Sequence, residues 1–423
     1  MDQALAEASR CLLCHEPPCS TGCPAGTEPG RFIKKLRFRN FKGAVEVVKR
    51  NNVLAGVCSV ICPTCSLCEQ GCLASGITTP IKIGKIQQFL VEYGWQIGFN
   101  PVSPKPPNGK KVGIIGAGPS GLTCAGELAK EGYRAIVFEK LSRAGGMLQY
   151  VVPADRLSSD LVDREISEIV DLGVEMRLET PVETQQDLDR LFKEGCEALY
   201  LATGAWKCTK MNVTTTGSDD IFSAISFLRL AKESTEEFAG KVKGKDVAVI
   251  GGGDSAMDAA VTAHKCGARD VFIIYRRSYL DMPASEEAKE RALRTGVHFA
   301  ITTQPVDYTI EDRRVKGMRV ASCRLGELDD SKRRRPVLIE GTERTFRADI
   351  IVEALGLIPD DSIRRFSSLE FDEQDRIVTR DDFGATPVRR VFAGGDAVRG
   401  GSLVARAVGD GKRAAAAIRS ILE

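Results

Sequence analysis

Histidine is scarce in this 423-residue chain, which has three, at positions 15, 264 and 298. A hydrolytic triad is therefore not expected, and His298, alone in an apolar run, reads as structural. Net charge is also lacking, because 59 Lys and Arg against 57 Asp and Glu leave +2. No bulk field argues for nucleic acid or an anionic membrane as a partner. The densest apolar run, residues 53–62, is shorter than the ~20 residues a spanning helix needs. The opening Met-Asp-Gln-Ala-Leu-Ala-Glu has no basic start and no apolar core, so no secretory signal is visible and a reducing, cytoplasmic setting is expected. At ~100–200 residues per domain the length implies two to four domains.

What the chain does have is 41 glycines and 14 cysteines. Nine of the cysteines (11, 14, 19, 23, 58, 62, 65, 68 and 72) fall before residue 73, which sets the first segment apart chemically. Pro101, Pro104, Pro106 and Pro107, then Asn108-Gly109, exclude helix or central strand and predict an extended linker. From Lys110 onward the runs KVGIIGAG, AIVFEK, ALYLATG, DVAVIGGG, DVFIIYRR, DIIVEALG and RVFAGGD alternate with amphipathic stretches. That alternation predicts parallel sheets flanked by helices.

Residues 31–50 carry eight Lys or Arg against Glu46, interleaved with Phe32, Ile33, Leu36, Phe41, Val45 and Val48. They predict two amphipathic helices with a solvated basic face; a partner-docking face is the second reading. Lys332 to Arg335, after Asp329-Asp330, reads as a polar hairpin tip without a function.

The cysteines run Cys11-x2-Cys14-x4-Cys19-x3-Cys23-Pro24, then Cys58-x3-Cys62-x2-Cys65-x2-Cys68-x3-Cys72. Iron in a cubane prefers soft thiolate donors, and short loops let several of them reach one cluster. A Cys-Pro after three closely spaced cysteines is the pattern in which the last cysteine serves the other of two clusters. Two [4Fe–4S] clusters are thus expected, with structural zinc as the alternative and disulfides a weaker third. Spacing alone points to Cys58 or Cys65 as the last ligand.

Gly116, Gly118 and Gly121 form G-x-G-x-x-G between a strand and a helical pattern, and Glu139 ends the next strand about 20 residues on. Glycine there allows the tight turn and the approach of backbone to a pyrophosphate, while the carboxylate is placed for a ribose hydroxyl. A second copy holds Gly251, Gly253 and Ala256, but its next strand ends in Tyr275-Arg276-Arg277-Ser278. Two guanidinium groups in place of an acid favour the 2′-phosphate of NADPH over NADH. No C-x-x-C lies beside either motif: Cys124 and Cys266 stand alone and read as core residues, which disfavours a disulfide reductase.

Together with Leu201-Ala-Thr-Gly204, Glu353-Ala-Leu-Gly356 and Val391-Phe-Ala-Gly-Gly-Asp396, this arrangement resembles the two-dinucleotide flavoproteins, whose FAD domain is split by an inserted nicotinamide domain. The resemblance implies an α+β multidomain chain: an N-terminal α-helical two-cluster iron–sulfur domain (1–100), a linker (101–108), and two Rossmann-like α/β dinucleotide-binding domains. FAD would occupy 109–215 and 350–423, and NAD(P)H 216–349. Asp396 would then contact the flavin ribityl and phosphate region, and Gly401-Ser402-Leu403 would start a helix beside the pyrimidine end of the ring.

The segments ASRCLLCHEPPCSTGCPAGTEPGRFIKKLRFRNFKGA, VCSVICPTCSLCEQGC, PIKIGKIQQFL, GAGPSGLTCAGELAKEGY, GGGDSAMDAA and FAGGDAV are similar to the FAD and iron–sulfur subunit of bacterial NAD(P)-dependent dihydropyrimidine dehydrogenase. They are also similar to the N-terminal part of the animal enzyme. The glutamate synthase small subunit and the large subunit of a bifurcating transhydrogenase share most of these motifs.

The resemblance implies one cluster on Cys11, Cys14, Cys19 and Cys72, and another on Cys23, Cys62, Cys68 and the amide oxygen of Gln87. Relatives commonly have Glu at that last position. It further implies dinucleotide sites drawn from Gly116, Ala117, Gly118, Pro119, Ser120, Gly121, Glu139, Gly145, Gly146, Met147, Arg156, Gly395, Asp396, Ser402, Leu403, Gly252, Gly253, Asp254, Ser255, Arg276, Arg277, Ala354, Leu355 and Gly356. Two departures stand out: Val152-Pro153-Ala-Asp-Arg156-Leu157-Ser158 keeps Arg156 but lacks the family's final proline, and RRSYLDMPAS resembles glutamate synthase.

The expected function is an NAD(P)-dependent oxidoreductase acting as the electron-input subunit of dihydropyrimidine dehydrogenase. A partner carrying FMN and further iron–sulfur clusters would reduce uracil or thymine, because three domains leave this chain no room for the FMN barrel. The glutamate synthase small subunit is the nearest alternative. A redox-sensing scaffold that holds the cofactors without turnover is the alternative from another class.

Overall fold

A computed structural model describes residues 1–214, 217–329 and 333–423. Helices come first: α1 (Asp2–Ser9), α2 (Pro18–Thr21), α3 (Pro29–Arg37), α4 (Phe41–Asn51), α5 (Ala55–Ile61) and α6 (Ile83–Gln96). Then follow β1 (Lys111–Ile115), α7 (Pro119–Lys130), β2 (Arg134–Phe138), α8 (Met147–Tyr150), α9 (Ser159–Asp171), β3 (Glu175–Arg177), α10 (Gln185–Lys193) and β4 (Ala198–Leu201). Next are β5 (Lys207–Cys208), β6 (Ile221–Ser223), α11 (Ala224–Glu233), α12 (Thr235–Val242), β7 (Asp246–Ile250), α13 (Asp254–Lys265), β8 (Asp270–Ile274), α14 (Glu286–Thr295) and β9 (His298–Ala300). The chain continues through β10 (Thr303–Glu311), β11 (Arg314–Leu328), β12 (Arg334–Leu338), β13 (Arg344–Arg347), β14 (Ile350–Glu353), β15 (Leu357–Ile358), β16 (Val391–Ala393), α15 (Asp396–Arg399) and α16 (Val404–Leu422).

Two compact units result. One comprises Met1–Gln149, Ala154–Ala205 and Ile358–Glu423, and the other Tyr150–Pro153 and Trp206–Leu357. In the first, a parallel sheet has the order β16-β4-β1-β2-β3. Strands β1, β2 and β4 are buried along almost their whole length, as expected of a sheet covered on both faces, whereas the edge strand β3 is half-buried. The leading helices form their own core in this unit, in which Phe32, Ile33, Leu36, Val45 and Val48 meet Ile83, Ile86 and Leu90. The basic stretch does form two amphipathic helices, α3 and α4: Pro29 sits at the start of α3, Lys34, Lys35 and Arg37 lie in its last turn, and the Asn40 side chain caps α4 through the Gly43 amide.

The second unit holds a parallel sheet in the order β6-β14-β7-β8-β9 and an antiparallel sheet of β10, β11, β12 and β13. Tyr308, Val315, Met318 and Val320 of the antiparallel sheet pack on Ala248, Ile250 and Ile351 of the parallel one. The sequence reading opens the last segment at 350. Hydrogen bonding instead carries Ile350–Glu353 into the second sheet between β6 and β7, so the first unit resumes only at Ile358. The antiparallel sheet was not anticipated. Its β10–β11 turn uses Asp312 and Arg313 at φ +49° and +61°, without the Asn-Gly or Asp-Gly pair that usually marks such a turn. Of the expected hairpin tip, Lys332 lies outside the described residues, while Arg334 and Arg335 begin β12.

Candidate functional site

Two cavities lie among the N-terminal helices, and the cysteines divide between them. Cys11, Cys14, Cys19 and Cys72 line the first, together with Pro17, Gly30, Ile33 and Ile81. Cys23, Cys62, Cys68 and Gln87 line the second, with Cys58, Thr27, Asn52 and Ala405. Cys65 is exposed and lines neither. The loop that sets Cys11 and Cys14 holds Leu13 at φ +53°, a conformation a leucine adopts only at a cost of roughly 1–2 kcal/mol.

The donor set fits iron–sulfur clusters chemically. Burial, with Cys11 and Cys72 nearby, pushes the Cys19 thiol up to about 11. Burial and Cys23 push Cys68 up to about 12. The hydrogen bond that the Cys62 thiol donates to Cys58, together with burial, raises Cys62 well above the ordinary thiol range. Thiols crowded this way ionise together only when cations share the cavity, and iron would supply that charge. Cys23 accepts the Thr27 hydroxyl at 2.9 Å, and Cys72 faces the Ile81 amide at 3.4 Å. Gln87 Nε2 donates to the Ala55 carbonyl at 2.7 Å, which leaves Oε1 as the amide atom on the cavity side.

At the first glycine motif, Gly116 has φ +102°, and a Cβ there would lie 2.4 Å from the Ala202 carbonyl. A Cβ on Gly121 would come within 2.0 Å of the Gly116 carbonyl. Both glycines are thus required for strand, turn and helix to pack. Gly118 precedes Pro119 at the start of α7, with open space where its Cβ would stand. Beside the turn, Thr203 Oγ1 is buried without a partner. An open helix N-terminus and an orphan hydroxyl are what a pyrophosphate would fill. Glu139, buried, accepts the Ala117 and Leu141 amides at 2.8 and 2.9 Å. Gly145 donates to the Ala117 carbonyl at 2.8 Å, and a Cβ on Gly146 would stand 3.0 Å from Gly118, so the 145–147 loop closes over the motif. Ser120 bonds Tyr200 at 2.6 Å, and Arg156 is half-buried.

Gly395, at φ +65°, turns the chain into Asp396, whose carboxylate accepts the Ser402 hydroxyl at 2.6 Å. Burial raises the Asp396 carboxyl. Leu403 is the N-cap of α16. Asp410 was not anticipated. It accepts the Gly395 amide at 3.0 Å and both arms of Arg399 at 2.7 and 2.8 Å, and so fixes the turn that presents Asp396. Its only trace in the sequence is a carboxylate among small residues of a helix.

In the second unit Gly251 has φ +143°, and a Cβ there would meet the Ala354 carbonyl at 2.3 Å. Ala354, Leu355 and Gly356 leave the tip of β14, where Gly356 has φ +110°. Gly252 lies against the Tyr275 ring, and Gly253 is the open N-cap of α13 before Asp254 and Ser255. Asp254 accepts the Ser285 amide and hydroxyl at 3.1 and 3.0 Å, so its carboxylate braces the 282–285 loop.

The two arginines part company. Arg276 is exposed, whereas Arg277 is 4% exposed, bonded to the Arg334 carbonyl at 2.7 Å and paired with Asp329 at 2.5 Å. The expectation that both reach a 2′-phosphate is therefore corrected, because Arg277 is committed to the antiparallel sheet. His298 is exposed and stacks on Phe272, and Cys124 is buried in α7 with its thiol raised by burial.

Comparison with known proteins agrees with both halves of this picture. Residues 110–411 match the pyridine nucleotide-disulphide oxidoreductase family, and residues 1–99 match dihydropyrimidine dehydrogenase domain II, 4Fe-4S cluster. The chain is 35% identical to the NAD-dependent dihydropyrimidine dehydrogenase subunit PreT of Escherichia coli (strain K12), over 99% of this chain and 94% of that one. It is 32% identical to the glutamate synthase [NADPH] small chain of the same organism, over 100% and 92%. The Mycobacterium tuberculosis FprA structure in complex with NADPH shares the fold, with TM-score 0.63 at 16% identity over 75% of this chain and 85% of that one. The chain belongs to the pyridine nucleotide-disulphide oxidoreductase family and is an NAD(P)H-dependent electron-transfer oxidoreductase with FAD and 4Fe-4S domains.

Proposed function

We propose that this chain is the electron-input subunit of a dihydropyrimidine dehydrogenase, working in the cytoplasm with a partner that carries FMN and iron–sulfur clusters and reduces uracil or thymine to the 5,6-dihydro product. The bound groups supply hydride acceptance at FAD and one-electron transfer through two cubanes. The residues of the chain bind and orient them. The first glycine turn, Glu139 and the Asp396 loop would hold FAD, the second turn and Arg276 would hold NAD(P)H, and the two cysteine cavities would hold the clusters.

The observation that carries this reading is Gln87: its Nε2 is spent on Ala55, so an amide oxygen joins Cys23, Cys62 and Cys68 around one cavity. The helix α16 starts at the Asp396–Leu403 segment, and its Ala405 lines that same cavity. Two residues of helix rise about 3 Å, so the flavin end and the second cluster would be close neighbours.

The glutamate synthase small subunit remains the second reading, favoured by the Arg276–Ser285 loop and by the 32% identity to that relative. Co-purifying the native complex, identifying its partner and assaying uracil and thymine with NADPH and NADH tests the proposal. Glutamate formed from 2-oxoglutarate and glutamine would favour the second reading. A flavin that NADPH fails to bleach under nitrogen would favour a scaffold.

A further inference from the structure

Two carboxamides line the second cysteine cavity, and they present opposite polarity to it. Gln87 is anchored through its nitrogen, so its oxygen is the end left for the cavity. Asn52 is anchored the other way. It is 0% exposed, its Oδ1 accepts the Leu54 amide at 2.9 Å, and its Nδ2 is buried without a hydrogen-bond partner. Exchanging the two ends would set an N–H against the Leu54 N–H, so the donor end is the one that remains. The backbone around it is held as well. The Asn52 amide donates to the Val48 carbonyl at 3.0 Å, and the Lys412 ammonium donates to the Asn51 and Ala25 carbonyls, each at 2.9 Å.

A buried amide donor without an acceptor is costly, and this one belongs to a residue that lines the cavity of Cys23, Cys62 and Cys68. The acceptors that a four-iron cluster brings to such a cavity are sulfurs, both thiolate and sulfide. An N–H pointed at them stabilises the reduced, more negative state of the cluster over the oxidised one. We propose that Asn52 Nδ2 donates a hydrogen bond to a sulfur of the second cluster and thereby raises its reduction potential above the value the protein would otherwise set.

The inference rests on the assignment of Cys23, Cys62 and Cys68 to one cluster. Iron for a single cubane in the wild-type chain would overturn that assignment, whereas the Asn52 variants bear on the donor alone. The test is a redox titration of the anaerobically purified holo chain with europium(II) chelates, followed by electron paramagnetic resonance. In Asn52→Ala the reduced-to-oxidised ratio of one cluster at a fixed poise should fall about tenfold, a shift of about 59 mV to lower potential. The other cluster should not move.

Asn52→Asp keeps the acceptor for Leu54 and replaces the donor with a negative charge, so its shift should be larger in the same direction. A wild-type potential in Asn52→Asp would show that only the Leu54 bond matters, and would overturn the proposal. Loss of the second cluster in Asn52→Asp but not in Asn52→Ala supports it, as repulsion of a carboxylate by the cluster. If both variants lose the cluster, wild-type chain labelled with 15N-asparagine decides: a nitrogen coupling on the reduced second cluster supports the bond, and its absence overturns it.

Discussion

The carboxylate of Glu165 accepts the backbone N–H of Val57 at 2.9 Å across 108 residues of sequence, and that of Gly56 at 2.5 Å. It therefore ties α9 to the start of α5, the helix that runs to Cys62. Burial pushes the Glu165 carboxyl up to about 8, against the opposing pull of the two amides. Because the folded state holds this proton more tightly than the unfolded one, stability is greatest at low pH and is lost as pH rises towards about 8. Thermal unfolding from pH 6 to 9 should show the midpoint falling until about pH 8 and then levelling. In Glu165→Gln this slope should disappear. The variant should also lose about 1–3 kcal/mol, since an NH2 group cannot accept from the amide it replaces.

Gly121→Ala places a methyl 2.0 Å from the Gly116 carbonyl. The helix must move away from the turn, at about 1–3 kcal/mol for an overpacked contact. Flavin absorbance per chain should fall well below that of the wild type, and the unfolding midpoint should drop. Full flavin content in this variant would mean that the turn does not bind the pyrophosphate.

Arg276 and Arg277 should separate cleanly in kinetics and stability. Arg276→Ala should raise KM for NADPH roughly ten- to a hundredfold while leaving kcat and the NADH parameters unchanged, as loss of a charge-assisted bond worth ~1.5–3 kcal/mol requires. Arg277→Ala removes the buried ion pair with Asp329 and the bond to the Arg334 carbonyl, and should instead destabilise the fold by about 3 kcal/mol. Steady-state assays with both nucleotides and denaturant melts distinguish the two effects.

Iron analysis of the anaerobic wild-type chain should return about eight atoms, from two cubanes. Gln87→Ala should bring this towards about four, because one cluster loses a ligand. Zinc without iron in the wild type would refute the assignment of the cysteine cavities.

Lys412→Met should leave the Ala25 and Asn51 carbonyls without their half-buried donor and cost about 1–3 kcal/mol. Lys412→Arg should recover part of that loss. Denaturant unfolding of the two variants is the measurement.

Local chemistry is what the amino-acid order could determine. All seven β-rich runs read from it are strands, since short continuous apolar stretches, five of them running into glycine, suit buried parallel strands. The paired helices of the basic segment were legible for the same reason, as apolar spacing of one face repeats within a single helix. The β10–β13 sheet was not. Its strands do alternate, as in Val306-Asp-Tyr308-Thr-Ile310-Glu311, but its tight turn takes its two positive φ angles from Asp312 and Arg313, so the usual glycine mark of a hairpin is missing.

The division of labour among charged and amide side chains was decided only in three dimensions. Spacing could nominate Cys58 or Cys65 as a ligand, but it could not show that Cys65 is exposed or that Gln87 turns its oxygen to the cavity. Two adjacent arginines look alike in a string of letters, and only the approach of Asp329 separates their roles. Glu165, Asp410 and Asn52 carry no local signal, because the groups they satisfy or lack are set by where distant segments meet. Backbone conformation follows from near neighbours, whereas burial and hydrogen-bond partnership depend on contacts that the chain makes only once it has folded.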